Sequence, residues 1–103
     1  MFKLGDNQTS KLKEICGNHF VDNLFQFGSA TGVRFDEVQS DIDLVVEFNN
    51  KLNPIDFADN YFSLIRSLEM LFERKVDLLS YRALKNPIII EEIESSKVLL
   101  YAA

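Results

Sequence analysis

The sequence predicts an α/β (α+β) fold, a mixed β-sheet packed against helices in one domain over residues 1–103. Three observations predict it. Asp41 to Phe48 alternates as a half-buried strand does, with Ile42, Leu44, Val46 and Phe48 on one face and Asp41, Asp43, Val45 and Glu47 on the other. Phe57, Tyr61, Leu64, Ile65, Leu68 and Leu71 fall at helical spacing, a stripe suited to burial on a sheet. The patterns follow one another as α, β, β, α, β, α, β, the order of a single sheet covered by helices.

In chain order, "TSKLKEICG" predicts a short first helix. Thr9 or Ser10 can cap it, Leu12 and Ile15 share a face, and Gly17 stands where helices often stop. The aromatic and β-branched run Phe20 to Phe27 ends at Gly28, so its latter half predicts a strand, with room for a short helix after Gly28. Asp41 to Phe48 is the next strand, and "NNKLN" is a turn. Asn53 can cap the long helix, Pro54 suits its first position, and Asp56 meets the positive end of the helix dipole. Arg74 and Lys75 would close that helix with favourable charge. Lys75 to Ser80 predicts a third strand with Lys75, Asp77 and Leu79 on one face. Pro87 opens a last helix over roughly Ile88 to Ser95, and Lys97 to Ala102 predicts a terminal strand.

Composition bounds the function. A length of 103 residues and 47% hydrophobic content suit one core. The net charge of −5 removes the usual attraction to phosphate backbones, so direct nucleic-acid binding is not expected. A single cysteine, Cys16, excludes an internal disulfide, and there is no zinc-type Cys/His spacing. With no apolar run of signal-peptide or membrane-span length, the expected location is cytoplasmic, away from membranes.

The chemistry concentrates in acids. Asp41 and Asp43, two apart on a strand, project from one face with Cα atoms roughly 7 Å apart. Asp77 repeats the pattern between Val76 and Leu78, and if the two strands are neighbours, three carboxylates converge on one patch. Carboxylates so close raise one another's pKa unless a cation holds them ionised. Oxygen ligands without His or Cys select Mg²⁺ or Mn²⁺ over zinc. Gly28 and Ser29 end a strand, where backbone N–H groups and a hydroxyl can approach a phosphate; no Gly-Lys-Ser/Thr follows, so this is not a P-loop. Each feature also has a purely structural reading: solvated acids, a tight turn, Glu47 simply exposed, His19 a boundary residue and Cys16 a packing residue.

Taken together, Gly28-Ser29, eleven residues, "DID" leading an apolar strand, and "VDLL" after one long helix resemble the nucleotidyltransferase superfamily of DNA polymerase β. The short length and the ending "IIIEEIESSKVLLYA" resemble its minimal nucleotidyltransferases (MNT) in particular, over about Phe20 to Tyr101. The resemblance implies the nucleotidyltransferase fold in a single minimal domain. It also implies ATP as co-substrate bound by Gly28 and Ser29, with Asp41, Asp43 and Asp77 as metal-binding and catalytic acids. Members of the family serve as antitoxins to HEPN ribonuclease toxins, some by moving AMP onto a toxin tyrosine. The implied partners are thus a HEPN-type toxin and a nucleoside triphosphate, in a homo-oligomer or hetero-oligomer. An acidic chain suits a partner whose RNA-binding surface is expected to be basic. Where the family carries Arg after Gly-Ser, this chain has Ala30 and Thr31, with Arg34 the nearest cation, and the Gly-Ser to Asp spacing is one residue longer. That departure keeps a second expectation open, a catalytically silent module that neutralises a toxin by complex formation. A small-molecule adenylyltransferase is disfavoured, since there is no second domain to seat the acceptor.

Overall fold

The computed structural model describes residues 4–28 and 41–103. Ser29, the short helix expected after Gly28, and Ala30, Thr31 and Arg34 lie outside the described residues. Within them the element order is α1 (Asp6–Asn18), β1 (Val21–Gln26), β2 (Ile42–Phe48), α2 (Phe57–Phe72), β3 (Val76–Ser80), α3 (Pro87–Ser96) and β4 (Val98–Ala102). One-turn 3₁₀ helices precede α2 at Pro54–Asp56 and follow β3 at Tyr81–Ala83. The sheet is mixed, as expected, in the order β3-β2-β1-β4. β1 runs antiparallel to both β2 and β4, whereas β2 and β3 are parallel. The α2 connection makes that last pairing possible, because parallel neighbours need a long crossover.

Alternation along β2 divides the side chains between two cores. Ile42, Leu44, Val46 and Phe48 enter the larger one, with Leu12 and Cys16 of α1 and Leu64, Leu68 and Phe72 of α2. Val45 points the other way, into a smaller core with Phe27 and Ile93 under α3. Both faces of the sheet are therefore covered. Tyr61, Ile65 and Leu71 pack at the margin of the larger core, so the predicted stripe of α2 is the buried one from Tyr61 onward, extended by Phe72, while Phe57 at its start is exposed.

The boundaries of all three α-helices differ from expectation. α1 starts at Asp6 with Gly5 as its N-cap, ahead of Thr9 and Ser10, where Gln8 Oε1 accepts from the Gly5 N–H at 3.1 Å. The Thr9 hydroxyl donates back to the Gly5 carbonyl, and Gly17 lies inside the helix. Asn53 caps as predicted, accepting from the Ile55 N–H at 3.0 Å, but the turn it caps is the 3₁₀ one. α2 stops at Phe72 with Glu73 in the left-handed region at φ 54°, so Arg74 and Lys75 follow the helix instead of closing it. α3 is one residue longer at each end than predicted, with the Asn86 side chain accepting from the Ile88 N–H at 2.9 Å.

His19 joins α1 to α2: its ring nitrogens lie 2.7 Å from the Ile15 carbonyl and 2.9 Å from Ser63 Oγ. Cys16 is fully buried and burial pushes its thiol up to about 12, which suits packing and not reactivity. The outer edge of β3 is closed by α2, where Tyr61 donates to the Leu78 carbonyl and Glu69 accepts from the Val76 N–H. No helix among the described residues is long and apolar enough to cross a membrane.

Candidate functional site

The acids gather at one end of the sheet, where β2 and β3 begin and β1 ends. β2 and β3 share a register in which Asp43 pairs with Asp77, so the two carboxylates leave adjacent strands on the same face. The register is held at its start by the Ile42 N–H donating to the Lys75 carbonyl at 3.0 Å. Asp41 stands immediately ahead of β2 and is exposed, as is Asp77, whereas Asp43 is half-buried.

Burial, first, pushes the Asp43 carboxyl above the ordinary aspartate range, followed by the charges of Asp77, Asp41 and Glu92. Glu92 belongs to α3, which crosses this face of the sheet, and sequence reasoning missed it. Its signal was available: Ile89 and Ile93 face the smaller core, and Glu92 stands beside Ile93 on the same short helix.

Gly28 abuts this patch. Its φ is +70°, and a Cβ built there would lie 3.2 Å from Asp43 Oδ2. Glycine fits the position twice over, since any side chain would be strained by the backbone and crowded by the carboxylate. Its N–H donates to Ser96 Oγ at 3.2 Å. Phe27, one residue earlier, donates its N–H to the Asp43 carbonyl at 3.1 Å and so ties the end of β1 to the acidic strand.

Beside the acids opens a cleft of about 470 Å³ that includes Asp43 and Asp77, with Phe27 at one side and Tyr61, Phe62 and Ile65 of α2 at the other. Tyr61, read from the sequence as a core residue, is amphipathic here. Its ring packs against Phe57 and Phe62, while burial and then the Asp77 charge raise the pKa of its hydroxyl. Phe62 is 56% exposed, an unusual degree for a phenylalanine bordering a charged patch.

The donor set fits a hard divalent cation. Among the described residues, no three His, Cys, Asp or Glu side chains are grouped closely enough to hold an ion by themselves. Mg²⁺ is commonly held by only one or two carboxylates, with phosphate oxygens and water completing its shell. An in-register Asp43–Asp77 pair beside Asp41 is a patch of that kind. It would repel a triphosphate arriving without cations.

Comparison with known proteins agrees with this layout. Residues 10–103 match the family model described as polymerase beta, nucleotidyltransferase. A Methanocaldococcus jannaschii protein named as a protein adenylyltransferase is 35% identical, over 86% of this chain and 94% of the relative. Among solved structures, a minimal nucleotidyltransferase superposes with a TM-score of 0.69 at 25% identity, covering 89% of this chain and 87% of that one. A chain of a toxin–antitoxin crystallised with AMP-PNP superposes with a TM-score of 0.65 at 19% identity, over 92% and 73%. So does one from the Shewanella oneidensis complex of a tri-AMPylated HEPN toxin with its MNT antitoxin, at 0.62 and 17% identity, over 94% and 71%. These last two likenesses concern the fold.

Proposed function

The chain belongs to the polymerase beta nucleotidyltransferase family, and from that premise we propose that it transfers AMP from ATP to a hydroxyl of a partner protein, as antitoxin to a HEPN-type toxin. The observation that carries the reading is the pairing of Asp43 with Asp77 across parallel strands, beside a glycine whose added Cβ would crowd Asp43. In support stand the M. jannaschii relative named for protein adenylyltransfer and the toxin–antitoxin complexes that share the fold.

In this reading Asp41, Asp43 and Asp77 hold Mg²⁺ or Mn²⁺, and the ion supplies charge neutralisation for the triphosphate and the departing pyrophosphate. Gly28 and Ser29 are the residues that would contact the triphosphate. The acceptor hydroxyl enters through the cleft bordered by Phe62 and Asp77, on the β3 side of Asp43 and across the cleft from Phe27. Its oxygen forms a bond to the α-phosphorus as the bond to pyrophosphate breaks, and its proton passes to the Asp77 carboxylate. The small domain leaves the acceptor to be presented by the partner, in a hetero-oligomer or with a second copy.

Incubation with labelled ATP, Mg²⁺ and the product of the adjacent gene tests the proposal. Label should appear on the partner with the wild-type protein and be absent with Asp41→Ala/Asp43→Ala. Equal labelling, or none with either, would overturn it. The replacement of the family's Arg by Ala30 and Thr31 favours the second reading, neutralisation by complex formation alone. Toxin protection that survives loss of both aspartates would select that reading.

A further inference from the structure

The Gly28 turn is fastened from an unexpected quarter. β1 ends at Gln26, which pairs with Val98 at the start of β4, so the exit of β1 and the end of α3 are neighbours although 68 residues separate Gly28 from Ser96. Ser96 is the last residue of α3, half-buried, and its hydroxyl lies 2.7 Å from the Glu92 carbonyl and 3.2 Å from the Gly28 nitrogen. A hydroxyl has one proton and two lone pairs. The carbonyl can only accept and the amide can only donate. The chain of bonds therefore runs from Gly28 N–H to Ser96 Oγ, and from Ser96 O–H to the Glu92 carbonyl.

We propose that Ser96 is a positioning residue for nucleotidyl transfer, whose hydroxyl latches the Gly28 turn against Asp43. The inference rests on the transfer reading above and adds a residue to it. α3 is a firm anchor for such a latch, since Ile93 is fully buried and the Lys97 N–H closes the helix on the Ile93 carbonyl at 2.8 Å. From the other side, Phe27 is held to the Asp43 carbonyl. Gly28 is thus pinned at its own amide and at the preceding one, in a left-handed conformation that glycine adopts without strain. Without the latch Gly28 can lift from Asp43, and the triphosphate loses one wall of its site while the Phe62 and Asp77 side of the acceptor cleft is untouched.

Three variants test this. Ser96→Ala removes the latch, Ser96→Thr keeps a hydroxyl, and Ser95→Ala is the control, because Ser95 Oγ also donates to the Glu92 carbonyl, at 3.0 Å, in the same kind of local bond. Amide hydrogen exchange at Gly28, read by NMR on the free protein, should quicken by about threefold to tenfold in Ser96→Ala, the worth of one hydrogen bond, and stay put in the other two. The KM for ATP should rise by a similar factor in Ser96→Ala alone, with the KM for the partner protein unchanged. Unaltered Gly28 exchange, an unaltered ATP KM in an active protein, or equal effects from Ser95→Ala would overturn the proposal. If the wild-type protein transfers nothing, the transfer reading falls and takes the positioning role with it, while Gly28 exchange still reports whether the bond exists.

Discussion

Asp43 stands half-buried at the start of β2, and burial, together with Asp77, Asp41 and Glu92, raises its carboxyl pKa above the ordinary value. The raised pKa means that the folded protein binds the Asp43 proton more tightly than the unfolded chain does. Its contribution to stability is fully present in acid, below the ordinary aspartate pKa, and is lost as pH rises through the folded value. Asp43→Asn, which keeps the volume and removes the charge, should therefore raise the melting temperature at pH 7. The gain should fade toward the ordinary aspartate range and shrink in high salt, which thermal unfolding across a pH series would reveal. A variant that is more stable and yet inactive would mark the acid as kept for chemistry. Gly28→Ala tests the same spot from the backbone side. The left-handed φ costs about 1–2 kcal/mol for a residue with a Cβ, and each kcal/mol lowers the melting temperature of so small a domain by about 4–8 °C. Crowding of Asp43 should reduce AMP transfer beyond what that loss of stability explains.

At the scale of elements, alternation in β2 was plain in the sequence, and it correctly separated Ile42, Leu44, Val46 and Phe48 from the acidic face. The side-by-side placement of Asp43 and Asp77 was legible only as a condition, since it requires β2 and β3 to be neighbours in one register. The parallel pairing through α2 meets that condition. Helix ends were harder to read. Thr9 and Ser10 have the chemistry of caps, yet Gln8 and Gly5 begin the helix earlier, and a hydroxyl that can cap can equally bond back to a carbonyl within a turn. Glu73 ends α2 in a conformation that glycine usually takes, so the usual signal was missing. The larger core depends on α2 through Leu64 and Leu68, both fully buried. Leu68→Ala should destabilise by about 2–5 kcal/mol in denaturant titration, and a value below about 1 kcal/mol would contradict the packing described.

Across the whole molecule, the site lies where the end of β1, the starts of β2 and β3 and the end of α3 meet. Residues distant in sequence are needed to complete it, which explains what the sequence hid. Asp41, Asp43, Asp77 and Gly28 carry local signatures, whereas Glu92 and Ser96 matter only because α3 lies across that face. Tyr61 looked like a further member of an apolar stripe and Phe62 carried no signal of its own, and only the position of α2 beside β3 turns both toward a cleft. Net charge was informative at this scale as well: with −5 overall and the charges of Asp77, Asp41 and Glu92 felt at Asp43, the proposed approach of ATP would need a cation. The central claim is that Asp43 and Asp77 hold that cation jointly with the nucleotide. Mn²⁺ binding measured by electron paramagnetic resonance, with and without AMP-PNP, tests it most directly. The account predicts that AMP-PNP strengthens Mn²⁺ binding to the wild-type protein and that Asp43→Asn and Asp77→Asn each weaken it by more than about tenfold. Equal Mn²⁺ affinity in all three proteins, with AMP-PNP present, would contradict it.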